Sequence, residues 1–316
     1  MTFSQEVKSE ILKSARKLQG ASAASFLAAV LKSAGALTLA HGGFAFTLDN
    51  DNLELLTLCK TVASEQLNAE VSILTREQRA KSEREYTCTF EASVGEKLGL
   101  TERDGEGTLS LCDVTNLIPS DPSVKRAFMQ GLFVASGSVV IPMPEQTDQY
   151  SSNTLNTNYH LELRFTDEAF ATAVADNFAE LEFHFLSRKS HFVLYLKDSE
   201  KIADFLVYVS ATSAKFKLEN IKISRSVRNQ INRQKNCDIA NIGKTVTAAG
   251  KQLEAIATLK RMGMFDDLPD QLKDIANLRE QYSEATLDEI ADMLHISKSG
   301  ASHRFAKLIE LSQRTN

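Results

Sequence analysis

The chain has 316 residues, of which 43% are hydrophobic and 24% are charged, and its formal net charge is −5. This length accommodates two or three domains. No run of about eighteen apolar residues predicts a membrane-spanning helix, and the opening residues do not form an apolar leader. We therefore expect a globular cytoplasmic protein that is not secreted and has no membrane partner.

The cysteines and histidines do not form a recognisable ligand set. Cys59, Cys88, Cys112 and Cys237 lie far apart and make no CxxC pair. This spacing disfavours a disulfide framework and a zinc site, and it predicts buried thiols in a reducing compartment. The six histidines form no cluster either. We expect neither a bound metal nor a cofactor.

The charge is distributed unevenly along the sequence. Residues 215–235 have a local charge of +6, which leaves −11 on the rest of the chain. A basic block in an acidic chain can attract phosphate backbones, although a solvated charged face is the simpler alternative. The basic residues of the block are Lys215, Lys217, Lys222, Arg225, Arg228, Arg233 and Lys235.

The first part of the chain contains a series of elements that recurs later. Between about residues 20 and 110, apolar periodicity and glycines predict a helix, a hairpin, a second helix and two more strands. We expect these elements at residues 25–34, 36–40, 44–48, 52–67, 71–74 and 86–90, with Gly35 after the first helix and a Gly-Gly turn at positions 42 and 43.

The same order returns between about residues 120 and 210. Asp121 is placed as an N-cap and Pro122 as the first helical residue, where its missing N–H costs nothing. The elements are expected at residues 122–135, 138–141, 160–165, 167–178, 183–187 and 192–196, followed by a helix from residue 199. Gly35 and Gly137 are thus equivalent, and the sequence predicts an internal duplication.

The first helix of each copy carries small residues at four-residue spacing. They are Ser25, Ala29 and Ser33 in one helix, and Ala127, Gly131 and Ala135 in the other. Such stripes allow two helix backbones to approach closely, which predicts that the two helices pack against each other. The alternative is two ordinary alanine-rich core helices.

Residues 27–35 (LAAVLKSAG) and 129–137 (MQGLFVASG) resemble the LAGLIDADG motif of homing endonucleases. The resemblance implies a duplicated domain with pseudo-two-fold symmetry, in which the eighth motif residue is an acid that holds catalytic metal ions. Ala34 and Ser136 occupy those positions and cannot act as carboxylate ligands. We therefore expect no catalytic residues and no nuclease activity. Asp49 and Asp51 are alternative acids, interpreted as loop residues before the next helix.

Residues 142–158 are almost entirely polar and predict a mobile hairpin loop, which we interpret as a solvated insertion.

Residues 228–241 (RNQINRQKNCDIAN) form the most distinctive segment of the sequence. Together with residues 218–220, 244–245 and the opening residues, this segment resembles the WhiA family of regulators. Arg and Asn together suit phosphate contacts and base edges. The alternative is that Asn229, Asn232, Asn236 and Asn241 cap and pin a connector. The resemblance implies control of sporulation or cell-division genes in Gram-positive bacteria.

The C-terminal residues predict a helix-turn-helix. Helices are expected over residues 241–262 and 270–282, around 287–294, and after the N-cap Ser297. Ala301, Phe305, Leu308 and Ile309 are placed on the core face of the last helix. The residues expected to reach DNA are Lys298, Ser299, Ser302, His303, Arg304 and Lys307. A protein-contact role is the alternative for such a bundle.

These observations predict an α+β fold in which a duplicated LAGLIDADG-like domain (residues 1–215) is followed by a basic connector and linker helix (216–265) and an all-α helix-turn-helix domain (266–316).

Double-stranded DNA is the expected partner, with other transcription factors or RNA polymerase as further candidates. The function that this combination favours is sequence-specific transcription regulation, with Arg225, Arg228, Arg233 and Lys235 as phosphate contacts. The alternatives are an active nuclease, which the missing acids disfavour, and an architectural chromosome-binding protein without promoter specificity.

Overall fold

The computed structural model describes residues 1–40, 43–77, 84–142 and 158–314. Position 42 of the predicted Gly-Gly turn and most of the predicted 142–158 loop lie outside the described residues. The chain divides into two compact units, Met1–Ser224 and Arg225–Asn316.

The first half of unit 1 contains the predicted helix and hairpin. The elements are α1 Phe3–Ala15, α2 Gly20–Ala34, β1 Gly35–Ala40, β2 Gly43–Asn50, α3 Leu53–Leu67, β3 Val71–Glu77, β4 Arg84–Glu91, α4 Ala92–Lys97, β5 Thr101–Arg103 and β6 Leu109–Leu111. Helix α2 begins earlier than predicted, and α1, α4, β5 and β6 were not predicted. In the sheet the strand order is β1-β2-β4-β3, with antiparallel neighbours.

The second half of unit 1 repeats this arrangement, which confirms the duplication. The elements are α5 Pro122–Ser136, β7 Gly137–Val140, β8 His160–Phe165, α6 Glu168–Asn177, β9 His184–Ser187, β10 Phe192–Leu196 and α7 Ser199–Tyr208. The sheet has the equivalent order β7-β8-β10-β9. Asp121 Oδ1 accepts hydrogen bonds from the backbone N–H groups of Ser123 and Val124, at 2.9 and 3.1 Å, so the predicted N-cap of α5 is confirmed.

Helices α2 and α5 pack closely, as the small-residue stripes predicted. A Cβ atom added to Gly131 would lie 2.3 Å from the carbonyl oxygen of Phe26 and 3.2 Å from the Cβ of Ala29. The Ser25 hydroxyl donates to the carbonyl oxygen of Val124, at 3.2 Å, across the same contact. The backbones can approach this closely only because the side chains between them are small. This contact lies in the core of unit 1.

Unit 2 is a bundle built on the C-terminal part of one long helix. Its other helices are α9 Asp270–Gln281, α10 Leu287–Met293 and α11 Lys298–Gln313. Ile256, Ile275, Ile290, Phe305 and Leu308 form the centre of its core, each at most 2% exposed. The helices predicted over residues 270–282, around 287–294 and after Ser297 are confirmed to within a few residues.

The predicted boundary between connector and linker helix was wrong. Helix α8 runs without interruption over Thr212–Arg261, fifty residues, instead of starting near residue 241. Its first turn is held by the Glu10 carboxylate, which accepts hydrogen bonds from the N–H groups of Ser213 and Ala214, at 2.7 and 3.0 Å. The division between the two units falls inside this helix, after Ser224.

Candidate nucleic-acid interface

The two motif positions at the ends of α2 and α5 carry no acid. The Ser136 hydroxyl donates to the carbonyl oxygen of Leu132 at 3.1 Å, one turn back in its own helix. Two residues before Ala34, the Lys32 ammonium forms an ion pair with Asp167 at 3.2 Å. Burial raises the pKa of Asp167, but hydrogen bonds from Lys32 and from backbone N–H groups of α6 hold it below its usual value overall.

The alternative acids do not complete a metal site. Asp49 was expected in a loop, but it lies within β2, opposite Thr87, and its carboxylate accepts a hydrogen bond from the Thr87 hydroxyl. The cap of α3 is Asn52, whose side chain accepts from the N–H groups of Glu54 and Leu55. Within the described ranges, no three His, Cys, Asp or Glu side chains are grouped closely enough to hold a metal ion.

The prediction of four buried thiols was wrong for two of them. Cys59 and Cys88 are buried, and burial raises the pKa of both thiols, that of Cys88 to about 12. Cys112 is half-buried and Cys237 is exposed on α8. All four are free thiols.

The basic block divides into two parts with different surroundings. Its first three lysines, Lys215, Lys217 and Lys222, form ion pairs in unit 1. Lys217 pairs with Glu6 at 2.6 Å, and Lys222 pairs with Glu200 and with Glu219, the latter at 3.3 Å. Because these lysines are neutralised, the block does not present seven free charges to a partner.

The remaining four basic residues lie in unit 2, on the part of α8 that follows the division. Arg228, Arg233 and Lys235 are exposed, and none of them forms an ion pair with another described residue. Arg225 precedes them and is half-buried. The segment from Arg225 to Lys235 spans about three turns of α8.

The Asn residues of this segment do not cap a connector. Asn229, Asn232, Asn236 and Asn241 are interior residues of α8, and all four are exposed. The alternative in which they pin a connector is therefore wrong. Their amides lie on the helix surface among the Arg and Lys side chains, and the amide of Asn241 donates to Cys237 Sγ at 3.6 Å.

Helix α8 also carries a heptad repeat that our sequence analysis missed. Thirteen positions follow an unbroken alternation of three- and four-residue steps, which is the spacing of coiled-coil a and d positions. Ala214, Leu218 and Ile221 are buried in unit 1, and Ala249 and Ile256 are buried in unit 2. The positions are 214, 218, 221, 225, 228, 232, 235, 239, 242, 246, 249, 253 and 256. A count of this period would have found the apolar positions on either side of residues 225–235, but not the helix through that segment, where the same positions are Arg, Asn and Lys.

The last helix, α11, has the predicted core face. Ala301, Phe305 and Leu308 are buried, and the Ser297 hydroxyl accepts from the N–H of Gly300 at 3.1 Å, which confirms the N-cap. Ile309, predicted in the core, is half-buried. The exposed residues Ser302, His303 and Ala306 lie between these core positions, and the exposed Ser299 precedes them. Their side chains are small or carry a single polar ring.

Two of the predicted basic contacts on α11 are engaged within the protein. Lys298 pairs with Asp288 of α10 at 2.6 Å, and Lys307 pairs with Glu310 at 2.9 Å. The hydrogen bond from Lys307 lowers the pKa of Glu310. Arg304, which is half-buried, and the exposed His303 form no ion pair with any described residue.

A buried arginine, which the sequence analysis did not identify, positions the turn before α10. Arg279 is 2% exposed, and its Nη1 donates to the carbonyl oxygen of Ala285 at 2.6 Å, with a longer contact to that of Tyr282 at 3.4 Å. Its guanidinium carbon lies 5.2 Å from the ring centroid of Phe305. Burial lowers the pKa of Arg279. This side chain connects α9, the turn and the core side of α11.

Two equivalent helix-and-hairpin halves that lack their motif acids, followed by a helix-turn-helix bundle, define a LAGLIDADG-like protein with a helix-turn-helix domain. The family model of the WhiA LAGLIDADG-like domain matches residues 125–228, and that of the WhiA C-terminal HTH domain matches residues 231–312. The "Probable cell division protein WhiA" of Staphylococcus aureus (strain USA300) is 32% identical over 323 residues, which cover 99% of this chain and 97% of that protein. This chain belongs to the WhiA family.

The crystal structure of full-length DUF199/WhiA from Thermatoga maritima has the same fold. It is 20% identical in sequence, covers 99% of both chains and superposes with a TM-score of 0.55. The predicted α+β fold, a LAGLIDADG-like domain followed by a helical domain, is confirmed. Among the residues that the structure describes, no helix is long and apolar enough to cross a membrane.

Proposed function

We propose that this protein is a sequence-specific DNA-binding regulator of cell-division or sporulation genes and that it has no nuclease activity. The observation that carries the proposal is the surface of α11, where Ser299, Ser302 and His303 are exposed while Phe305 fixes the opposite face in the core. A helix with small and polar exposed residues can enter the major groove and bring its N-terminal turns to the bases. Double-stranded DNA is the partner that this surface fits.

The two helices have different roles in this proposal. On α11, Ser299, Ser302, His303 and Arg304 contact bases, and Lys298 and Lys307 contact phosphates after exchanging their carboxylate partners. On α8, Arg225, Arg228, Arg233 and Lys235 contact phosphates. Phosphate contacts supply affinity that falls with salt, whereas base contacts supply specificity.

We expect no nuclease activity because of the residues at the two motif positions. A metal-dependent nuclease needs anionic oxygens to hold the ions that stabilise the attacking and leaving oxygens. Ala34 offers no oxygen, and the Ser136 hydroxyl is bonded to its own helix. The duplicated domain then acts as a scaffold, and other transcription factors or RNA polymerase are candidate protein partners.

Competition binding tests the division of roles. Genomic fragments retained by the protein are compared with scrambled duplexes of the same length, for the parent, His303→Ala, and Arg228→Ala with Arg233→Ala. We expect His303→Ala to lose about 1–3 kcal/mol of preference for the selected fragments. The double variant should weaken binding to all duplexes and reduce the salt slope by roughly one unit per lost phosphate contact.

The exposed residue Gln313, near the end of α11, provides a control, since Gln313→Ala should change neither quantity. If His303→Ala and variants at Ser299 and Ser302 all retain the parent's selectivity, base recognition by α11 is contradicted.

A second candidate is an architectural chromosome-binding protein. The unpaired Arg228, Arg233 and Lys235 favour it, because cations on one helix bind phosphates regardless of sequence. Genome-wide occupancy separates the two: discrete peaks upstream of genes support the regulator, and uniform coverage supports the architectural protein.

A further inference from the structure

The heptad stripe of α8 changes its chemistry between the two cores. From Arg225 to Lys235 its a and d positions are occupied by Arg225, Arg228, Asn232 and Lys235, and after that by apolar residues. Three of the apolar residues, Ile239, Ile242 and Val246, are 67%, 62% and 64% exposed. Exposure of large apolar side chains at regular spacing on one helix indicates a face that another helix covers.

The apolar part of the stripe lies along a groove within unit 2. Its cavity is about 700 Å³, and it is lined on one side by α8 and on the other by the turn before α10. The α8 residues that line it include Ile242, Val246 and Leu253, and the turn contributes Ser283 and Thr286. Side chains of a second helix can fill this groove.

Two glycines in α8 support a close approach from outside the chain. Gly243 and Gly250 are seven residues apart, each directly after a d position, and both are exposed. A Cβ atom added to either would contact nothing within 4 Å, and neither has a positive φ angle. Glycine inside a helix costs about 1 kcal/mol relative to alanine, and no contact within the described chain explains it. Small residues beside the stripe would let a partner backbone come near.

The residue types at the a positions indicate what the partner is. Ile239 and Val246 are β-branched a residues, as in two-stranded parallel coiled coils, although the d residue between them is Ile242 and not the Leu that is typical of that class. A second copy of α8 presents the same residues at the same spacing. It therefore satisfies the pattern without any further protein.

We propose that two copies of this chain pair in parallel through Ile239, Ile242 and Val246 and that DNA drives the pairing. This inference rests on the proposed DNA binding. In a parallel pair the basic a and d residues of both copies leave the coiled coil at the same end, as in helices that grip a duplex from a dimer. Without DNA their like charges repel and the apolar stripe spans only about two heptads. The copies are then mostly separate, and the phosphates of a duplex remove the repulsion.

Cysteine cross-linking tests the orientation. Ile239→Cys and Val246→Cys are made singly in full-length protein that also carries Cys112→Ser and Cys237→Ser, and each is oxidised with and without a random-sequence duplex. In a parallel, in-register pair, each a residue lies beside the same residue of the other copy, so both variants should form disulfide-linked dimers. The yield of these dimers should be at least about tenfold higher with DNA than without it. Ala248→Cys, exposed but off the stripe, should not form them.

Sedimentation of the protein with the duplex tests the stoichiometry. The parent should bind as two copies per duplex, and Val246→Asp should bind as one, whereas Ala248→Asp should retain two. One copy per duplex for the parent, or dimers that form through Ala248→Cys as readily as through the stripe, would overturn the pairing while leaving DNA binding intact. Cross-linking of only one of the two stripe variants would overturn the parallel orientation. Failure of the parent to bind any duplex would instead contradict the proposed function.

Discussion

Removal of the Phe305 ring should destabilise unit 2 without affecting unit 1. The ring is 2% exposed, packs in the core with Ile256 and Ile290, and lies beneath the Arg279 guanidinium. Phe305→Ala leaves a cavity in this core and removes the aromatic ring that the buried Arg279 guanidinium contacts. His303→Ala, two residues away and exposed, removes no such contact.

The expected loss of unfolding free energy follows from the burial of Phe305. Phe-to-Ala changes in a core lose about 3–5 kcal/mol, and small domains have a total stability of about 5–15 kcal/mol. For a unit of about 90 residues, each kcal/mol corresponds to roughly 4–8 °C in the melting temperature, so the transition of unit 2 should fall by at least about 12 °C. His303→Ala should stay within about 0.5 kcal/mol of the parent.

Calorimetry of the full chain, with hydrogen exchange followed in peptides from α9 and α11, measures both effects. We expect Phe305→Ala to lose protection in α9 and α11 while peptides from α2 and α5 retain theirs. Parent-like protection of α11 in Phe305→Ala would refute the core assignment of this helix face. A comparable loss in His303→Ala would show that the exposed face contributes to folding and not to recognition.

Three further outcomes are expected. Gly131→Ala should destabilise unit 1 by about 1–3 kcal/mol in denaturant unfolding, because the added Cβ would overlap the Phe26 carbonyl, whereas Gly105→Ala, which meets open space, should be nearly neutral. Hydrogen bonds from the Thr286 backbone N–H and hydroxyl lower the pKa of Glu289. The ionised carboxylate therefore stabilises the folded protein at pH values above the unfolded-state pKa of this group, and this stabilisation is lost as the pH falls through the lower folded-state pKa. Glu289→Gln should therefore be less stable than the parent at about pH 6 and should approach it near pH 3, a convergence that thermal melts would reveal. Repurified protein should not nick plasmid DNA with Mg²⁺ or Mn²⁺, and chelator-sensitive cleavage would contradict the missing-acid argument.

Much of unit 1 could be predicted because its signals are local. The glycines after α2 and α5, the N-cap at Asp121 and the four-residue spacing of small side chains all act within a few turns of chain. Each one limits which backbone conformations and helix distances are possible. Two copies of the same signals reinforce each other, which is why the duplication was evident without a structure.

The continuous helix α8 could not be predicted from local rules. Its middle is rich in Asn, which has low helix propensity and favours caps and turns, so the local signals predicted a connector. Burial at both ends outweighs that preference, since Leu218 and Ile221 anchor one end and Ile256 and Leu259 the other. Tertiary packing supplies most of the stability of helices in proteins.

Ion pairs limited the prediction of the interface for a similar reason. Lys217 and Glu6 are 211 positions apart, and no sequence window connects them. Lys298 and Asp288 belong to different helices of the bundle. A count of basic residues therefore overestimated the charge available to a partner on α8 and α11. Only the structure separates the ion-paired Lys217 and Lys298 from Arg228 and Arg233, which form no ion pair with another described residue.

The replacements at the motif positions also have a structural consequence. Two carboxylates at paired helix ends repel each other unless cations lie between them, so a domain with both acids depends on ions or protons for stability. Ala34 carries no charge, and Ser136 satisfies its hydroxyl within α5. Without the two acids, these helix ends carry no like-charge repulsion that a cation would have to offset. The closely packed pair α2 and α5 can then hold the domain together by contact alone.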